Sequence, residues 1–177
     1  MKLRILLCLW VFAFAAPFVN ADTFYRGPDE ADLPPWSEEA ITMPSYPKGE
    51  NLQAIYVSEV TTHHFFVDAS SLSVGKDGVV RYVLVIRTSG GATNISYEGI
   101  RCETLEYKIY ATGRQDGQWT EARNAKWRPI ENKPVNRQHA ALSRNYFCPN
   151  RVPILDPAEG REALRLGKHP SVSNTSF

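Results

Sequence analysis

Three runs decide the fold: Val79-Val80-Arg81-Tyr82-Val83-Leu84-Val85-Ile86, Ser96-Tyr97-Glu98-Gly99-Ile100-Arg101-Cys102, and Leu105-Glu106-Tyr107-Lys108-Ile109-Tyr110-Ala111. Their β-branched and aromatic residues suit a pleated, half-buried surface. Ser89-Gly90-Gly91 joins the first run to the second, Lys76-Asp77-Gly78 precedes the first, and Gln115-Asp116-Gly117 follows the third before Trp119. These residues tolerate the backbone of tight hairpin turns, so neighbouring strands pair antiparallel. The first run is apolar on both faces apart from Arg81, the pattern of a central strand covered on each side. The third alternates, with Leu105, Tyr107, Ile109 and Ala111 on one face and Thr104, Glu106, Lys108 and Tyr110 on the other. One face then meets the core and the other meets water.

Working outward, sheet segments are predicted over residues 52–60, 63–68, 79–88, 93–102 and 103–112, about five strands in all. Residues 136–147 have helix-compatible composition. Asp156-Pro157-Ala158-Glu159 sets a cap, a first-turn proline and a box acid ahead of Ala163 and Leu164, with Gly167 as the stop. The fold class is therefore α+β: an antiparallel sheet followed by one or two helices. Ahead of the sheet, residues 22–51 carry Pro28, Pro34, Pro35, Pro44 and Pro47 among acidic side chains, and this favours an extended arm anchored by Trp36. Ser37 with Glu38 and Glu39 also reads as the start of a short helical turn over 37–41.

The first residues read as an export signal. Lys2 and Arg4 precede an uncharged apolar run from Ile5 to Ala16, shorter than the roughly 20 residues needed to span a bilayer, and Val19-Asn20-Ala21 offers small residues for cleavage. The expected cut falls between Ala21 and Asp22. That divides the chain into a signal (1–21), an acidic arm (22–51), one domain (52–168) and a flexible tail (169–177), with no transmembrane segment after maturation. Removing Lys2 and Arg4 from the 20 basic residues leaves 18 against 19 acidic ones, a balance that argues against nucleic acid as the main partner. The charge is uneven. Residues 22–70 hold nine acidic and two basic residues, whereas 101–151 hold ten basic and five acidic. Either the acidic arm packs over the basic half of its own domain, or the basic half meets an anionic partner.

Cys8 leaves with the signal, so Cys102 and Cys148 remain as an even pair in an exported chain, which reads first as a disulfide. A zinc site would need two further ligands, and neither cysteine belongs to a close pair. Cys102 beside Arg101 is the alternative, an activated thiol. His63-His64 with Asp68 is the cluster a metal or hydrolase reading would use. In a strand, however, His64 and Asp68 stand about 13 Å apart, too far to share one ion. Asp68 is better read as a cap for the turn through Ala69, Ser70 and Ser71. Ser73-Val74-Gly75-Lys76 matches a serine-hydrolase pattern whose serine must begin a helix, but here it leads into a hairpin turn. Glu98 and Arg101 project to opposite faces of a strand. No catalytic residue, metal ligand or cofactor is assigned. Trp119, Trp127, Tyr146 and Phe147 either line a ligand groove or belong to the core, and Trp127 is the best placed of them for an exposed contact.

Asn51-Leu52, Phe66-Val67-Asp68 with Leu72, residues 77–82, Ser96 to Cys102, Trp119, Trp127 and Tyr146-Phe147-Cys148 together resemble the cryptic neisserial protein 1-like family of exported bacterial proteins. The resemblance runs from about Trp36 to Cys148 and implies a bacterial source and an envelope location; it carries over no catalytic residue and no cofactor. The expectation is a non-catalytic periplasmic binding or accessory module. Its contact surface is Arg123, Lys126, Trp127 and Arg128, and its partner an envelope protein or an anionic cell-wall component. The alternative is a periplasmic enzyme acting on envelope material near Cys102, Glu98 or His64.

Overall fold

A computed structural model of the chain describes residues 34–133 and 137–173; the expected signal, its cut at Ala21 and Asp22, and the front of the acidic arm lie outside them. β1 (Leu52–Ile55), β2 (His64–Val74), β3 (Val79–Arg87), β4 (Thr93–Arg101) and β5 (Glu106–Gly113) form an antiparallel meander in chain order. The short β6 (Trp119–Glu121) and β7 (Arg128–Pro129) both pair with β5, one at each end of it. Among the described residues the sheet therefore has seven strands. The two additional strands are too short to show an alternating pattern in sequence. Gly78 and Gly91, at φ 73° and 85°, close the turns on either side of β3 in a conformation that a Cβ would oppose.

β3 is covered on each side, as its composition implies, but by different material. Val80, Tyr82 and Leu84 face α1 (Arg137–Ala141), the π-helical turn that continues it (Leu142–Phe147), and α2 (Pro157–Leu166), in a core shared with Leu142, Tyr146 and Phe147. Val83 and Val85 face Tyr97, Tyr110, Ile41 and Met43. The second cover is the arm, which crosses the sheet without forming a helix or a strand between Trp36 and Tyr46. α2 begins as predicted: the Asp156 carboxylate accepts the N–H groups of Ala158 and Glu159, and Gly167 ends the helix.

Several expectations change. No helical turn forms over 37–41, because the Glu38 carboxylate bonds side chains across the sheet instead of its own first turn. The strand expected over 52–60 stops at Ile55, since the Tyr56 N–H donates to the Tyr146 hydroxyl at 3.0 Å. The strand expected over 63–68 instead continues to Val74 past an irregularity between Asp68 and Ser73. There Asp68 accepts both the N–H and the O–H of Ser70, and the Ser71 hydroxyl accepts the N–H of Val83. In β5 the alternation breaks. Tyr97 pairs with Ala111 and Glu98 with Ile109, leaving Tyr110 as an extra residue that puts Ala111 on the arm side. Lys108 and Tyr110 meet the arm, not water. The described part of the tail is tied down, with His169 buried and its ring nitrogens within 2.9 Å of Glu159 and 2.8 Å of Ser171.

Candidate functional site

Cys102, directly after β4, and Cys148, directly after the π turn, form a disulfide with their Cα atoms 5.3 Å apart. The bond staples the helical layer to the sheet. On loop-closure entropy it stabilises the fold by about 4 kcal/mol. It also leaves no thiol at Cys102 for nucleophilic chemistry.

Beneath it lies a cluster that sequence reasoning missed. Glu98 points into the helix-side core, where its carboxylate accepts the Ser96 hydroxyl at 2.6 Å and the Tyr82 hydroxyl at 3.1 Å, with His139 Nε2 at 2.9 Å. Burial pushes the Glu98 carboxyl up, but the His139 ring and the two hydroxyls more than offset it, so the group sits below its ordinary value. An ionised carboxylate only accepts, so His139 must present Nε2–H to it, and Nδ1 is left buried without a partner among the described residues. Tyr107 stacks on the imidazole with ring centroids 3.8 Å apart. The residues are 41 apart in sequence, so no local spacing announced the pair. The other candidates do not converge: His64 is exposed at the start of β2 while Asp68 is buried, Ser73 lies one residue before that strand's end, and Lys76 lies in the following turn. Among the described residues no group of three or more His, Cys, Asp or Glu could hold a metal.

The basic half divides in two. Part of it is neutralised by the arm: the Glu38 carboxylate accepts Lys108 Nζ at 2.7 Å and the Tyr110 hydroxyl at 2.8 Å, and Trp36 stacks under the Arg101 guanidinium at 4.0 Å while donating its indole N–H to the Asp77 carbonyl. Trp127 belongs to this side. It is half-buried edge-on to Trp36 and Tyr110, with its N–H toward Glu38. Trp119 likewise packs on Tyr46 and Tyr97, while Tyr146 and Phe147 are core. The other part is a loop between β6 and β7, anchored to β5 at both ends, with the Ala122 N–H on the Tyr110 carbonyl. From it Arg123 and Lys126, with Arg128 at the start of β7, project into solvent, and none of the three side chains makes a hydrogen bond or ion pair among the described residues.

Two hollows flank the π turn. One, of about 580 Å³, is bordered by Tyr56, Glu59, Arg137 and Arg144. The other, of about 410 Å³, lies against Leu105, Ser143, Arg151 and Val172, next to the disulfide. No helix among the described residues is long and apolar enough to cross a membrane.

The sheet, its single disulfide and the buried Glu98–His139 pair define a small disulfide-stapled α+β domain, of the kind that persists in an oxidising compartment. The chain belongs to the CNP1-like family, whose sequence model matches residues 31–165. It is 29% identical over 163 residues to cryptic neisserial protein 1 of Neisseria gonorrhoeae, a match covering 80% of each chain. No solved structure matches it.

Proposed function

We propose that the chain is a non-catalytic binding or accessory module of the bacterial periplasm, contacting an envelope protein or an anionic cell-wall component through Arg123, Lys126 and Arg128. The observation that carries this reading is that three cations on one anchored loop are exposed and without a partner among the described residues, whereas the neighbouring Lys108 is matched by the arm. Exposed charge of one sign on a rigid edge steers a partner of opposite sign. The disulfide supports an oxidising compartment, and the export reading of residues 1–21 supports the periplasm.

Three placements support the non-catalytic side. Cys102 is bridged, Glu98 and His139 are buried away from either hollow, and His64 is exposed with no titratable group bonded to it among the described residues. The test is capture from envelope extract and on purified cell-wall sacculi by immobilised mature chain. The expected result is retention that weakens as salt rises and in an Arg123→Ala, Lys126→Ala, Arg128→Ala variant that melts at the parent temperature. Retention indifferent to both salt and the substitutions would remove the loop from the function.

A further inference from the structure

We propose that the 410 Å³ hollow beside the disulfide is a binding site for a small organic acid with a short apolar body, a site separate from the basic loop and independent of its role. Three observations converge on it. First, Leu105, Asn150 and Arg151, at φ 54°, 54° and 65°, are the non-glycine residues in the left-handed region among those described, and all three border this hollow. Such conformations oppose an L side chain and persist where the surroundings enforce them. Leu105 closes the β4–β5 turn at a position that suits glycine or asparagine, yet it carries a large apolar side chain against the hollow. Second, Ser143 is 3% exposed, borders the hollow, and its hydroxyl bonds none of the described residues. Ser143 lies in the π turn, whose wider winding is marked by the Cys148 N–H bonding the Ser143 carbonyl, and π turns recur at ligand sites.

Third, the chemistry is one-sided. Among the described residues Arg151 borders the hollow and no Asp or Glu side chain does, while Leu105, Ile130 and Val172 give it an apolar wall. Arg151 is held in place by donating from Nη2 to the Glu103 carbonyl at 2.7 Å, and its other guanidinium N–H groups bond nothing among the described residues. A guanidinium fork and a hydroxyl beside an apolar wall match a carboxylate on a short alkyl body, and the volume falls within the ordinary range of about 300–1,000 Å³ for small-molecule sites.

The test is a titration of the purified chain with sodium hexanoate, followed by backbone amide resonances, with acetate and inorganic phosphate as comparison probes. Hexanoate is expected to produce saturable shifts centred on Leu105, Ser143 and Val172, with acetate weaker by about tenfold for lack of the apolar contacts. Ser143→Ala and Arg151→Gln should each weaken hexanoate by about tenfold. Arg151 is exposed, so its variant is expected to melt at the parent temperature and to separate loss of binding from loss of fold. Absence of a saturable shift, shifts centred elsewhere, phosphate binding as tightly as hexanoate, or unchanged affinity in Arg151→Gln would each overturn the assignment.

Discussion

Glu98 Oε2 and His139 Nε2 meet at 2.9 Å between β4 and α1, with Glu98 2% and His139 3% exposed. The pair joins the sheet to the helical layer at a depth where an uncompensated charge is severely penalised. Because Glu98 is held below its ordinary 4.5, the unfolded chain takes up the proton first as pH falls. Its stabilisation is therefore complete above that value and is lost as pH drops through the folded-state pKa. Glu98→Gln should lower stability at neutral pH by about 3 kcal/mol. It should also flatten the acid limb below pH 4.5 in denaturant melts recorded across pH. A variant with the parent's acid limb would show that the pair is not responsible.

Arg81 is the buried charge of β3, where Arg87 at the strand end is exposed, and its guanidinium meets both carboxylate oxygens of Asp77, at 3.1 and 2.5 Å, with both side chains nearly inaccessible. Burial raises the Asp77 carboxyl, but Arg81 and the N–H groups of Glu39 and Val79 bring it below its ordinary value. The sign is again that of stability lost on acidification. Asp77→Asn strands the Arg81 charge and should destabilise by about 3 kcal/mol, whereas Asp77→Asn with Arg81→Met should recover much of that loss. Equal melting of the single and double variants would contradict the pairing.

These two pairs show what sequence discloses and what it hides. Asp77 and Arg81 lie four residues apart, and Arg81 stood out because it interrupts an otherwise apolar strand. Glu98 and His139 are 41 residues apart on different elements, and only the packing of α1 on the sheet brings them together. The meander was legible because each long strand carries its own pattern and turn. β6 and β7 were not, being too short to carry a pattern and fixed by their pairing with β5. Similarly, the charge asymmetry implied that the arm covers the basic half, but the arm's use of Glu38 against Lys108 and Trp127 depends on a register that no local rule supplies.

Cys102 and Cys148 close a loop whose ends are 46 residues apart. Replacing both with Ala should lower stability by about 4 kcal/mol, read as a shift in denaturant midpoint at unchanged slope. Intact mass of the parent should rise by two hydrogens on reduction. An identical mass before and after reductant would refute the bridge.

Gly160 sits inside α2, where alanine ordinarily strengthens a helix by up to about 1 kcal/mol. Here a Cβ would lie 2.6 Å from Ile154 Cδ1 and 3.3 Å from Leu72 Cδ1, so the close approach of α2 to the sheet opposes the gain. Gly160→Ala should therefore destabilise by about 1–3 kcal/mol, the usual penalty of overpacking. A higher melting temperature would mean that propensity outweighs packing at this position.

Glu38 gathers Lys108, Tyr110 and Trp127 under the arm, and both members of the Glu38–Lys108 pair are partly buried. Glu38→Gln removes the charge and keeps the shape, so the sheet should persist while the strap over it loosens. The expected result is faster amide exchange over residues 36–46 and a red-shifted tryptophan emission as Trp36 and Trp127 gain water, with a global loss of about 1 kcal/mol. Since Lys108 would then lack its counter-charge, the same variant should add to the anion affinity of the adjacent Arg123, Lys126 and Arg128 loop, a gain read as tighter, more salt-sensitive retention on cell-wall sacculi. Unchanged exchange in the arm would show that Val83, Val85 and their apolar contacts with Ile41 and Met43 hold it without the carboxylate.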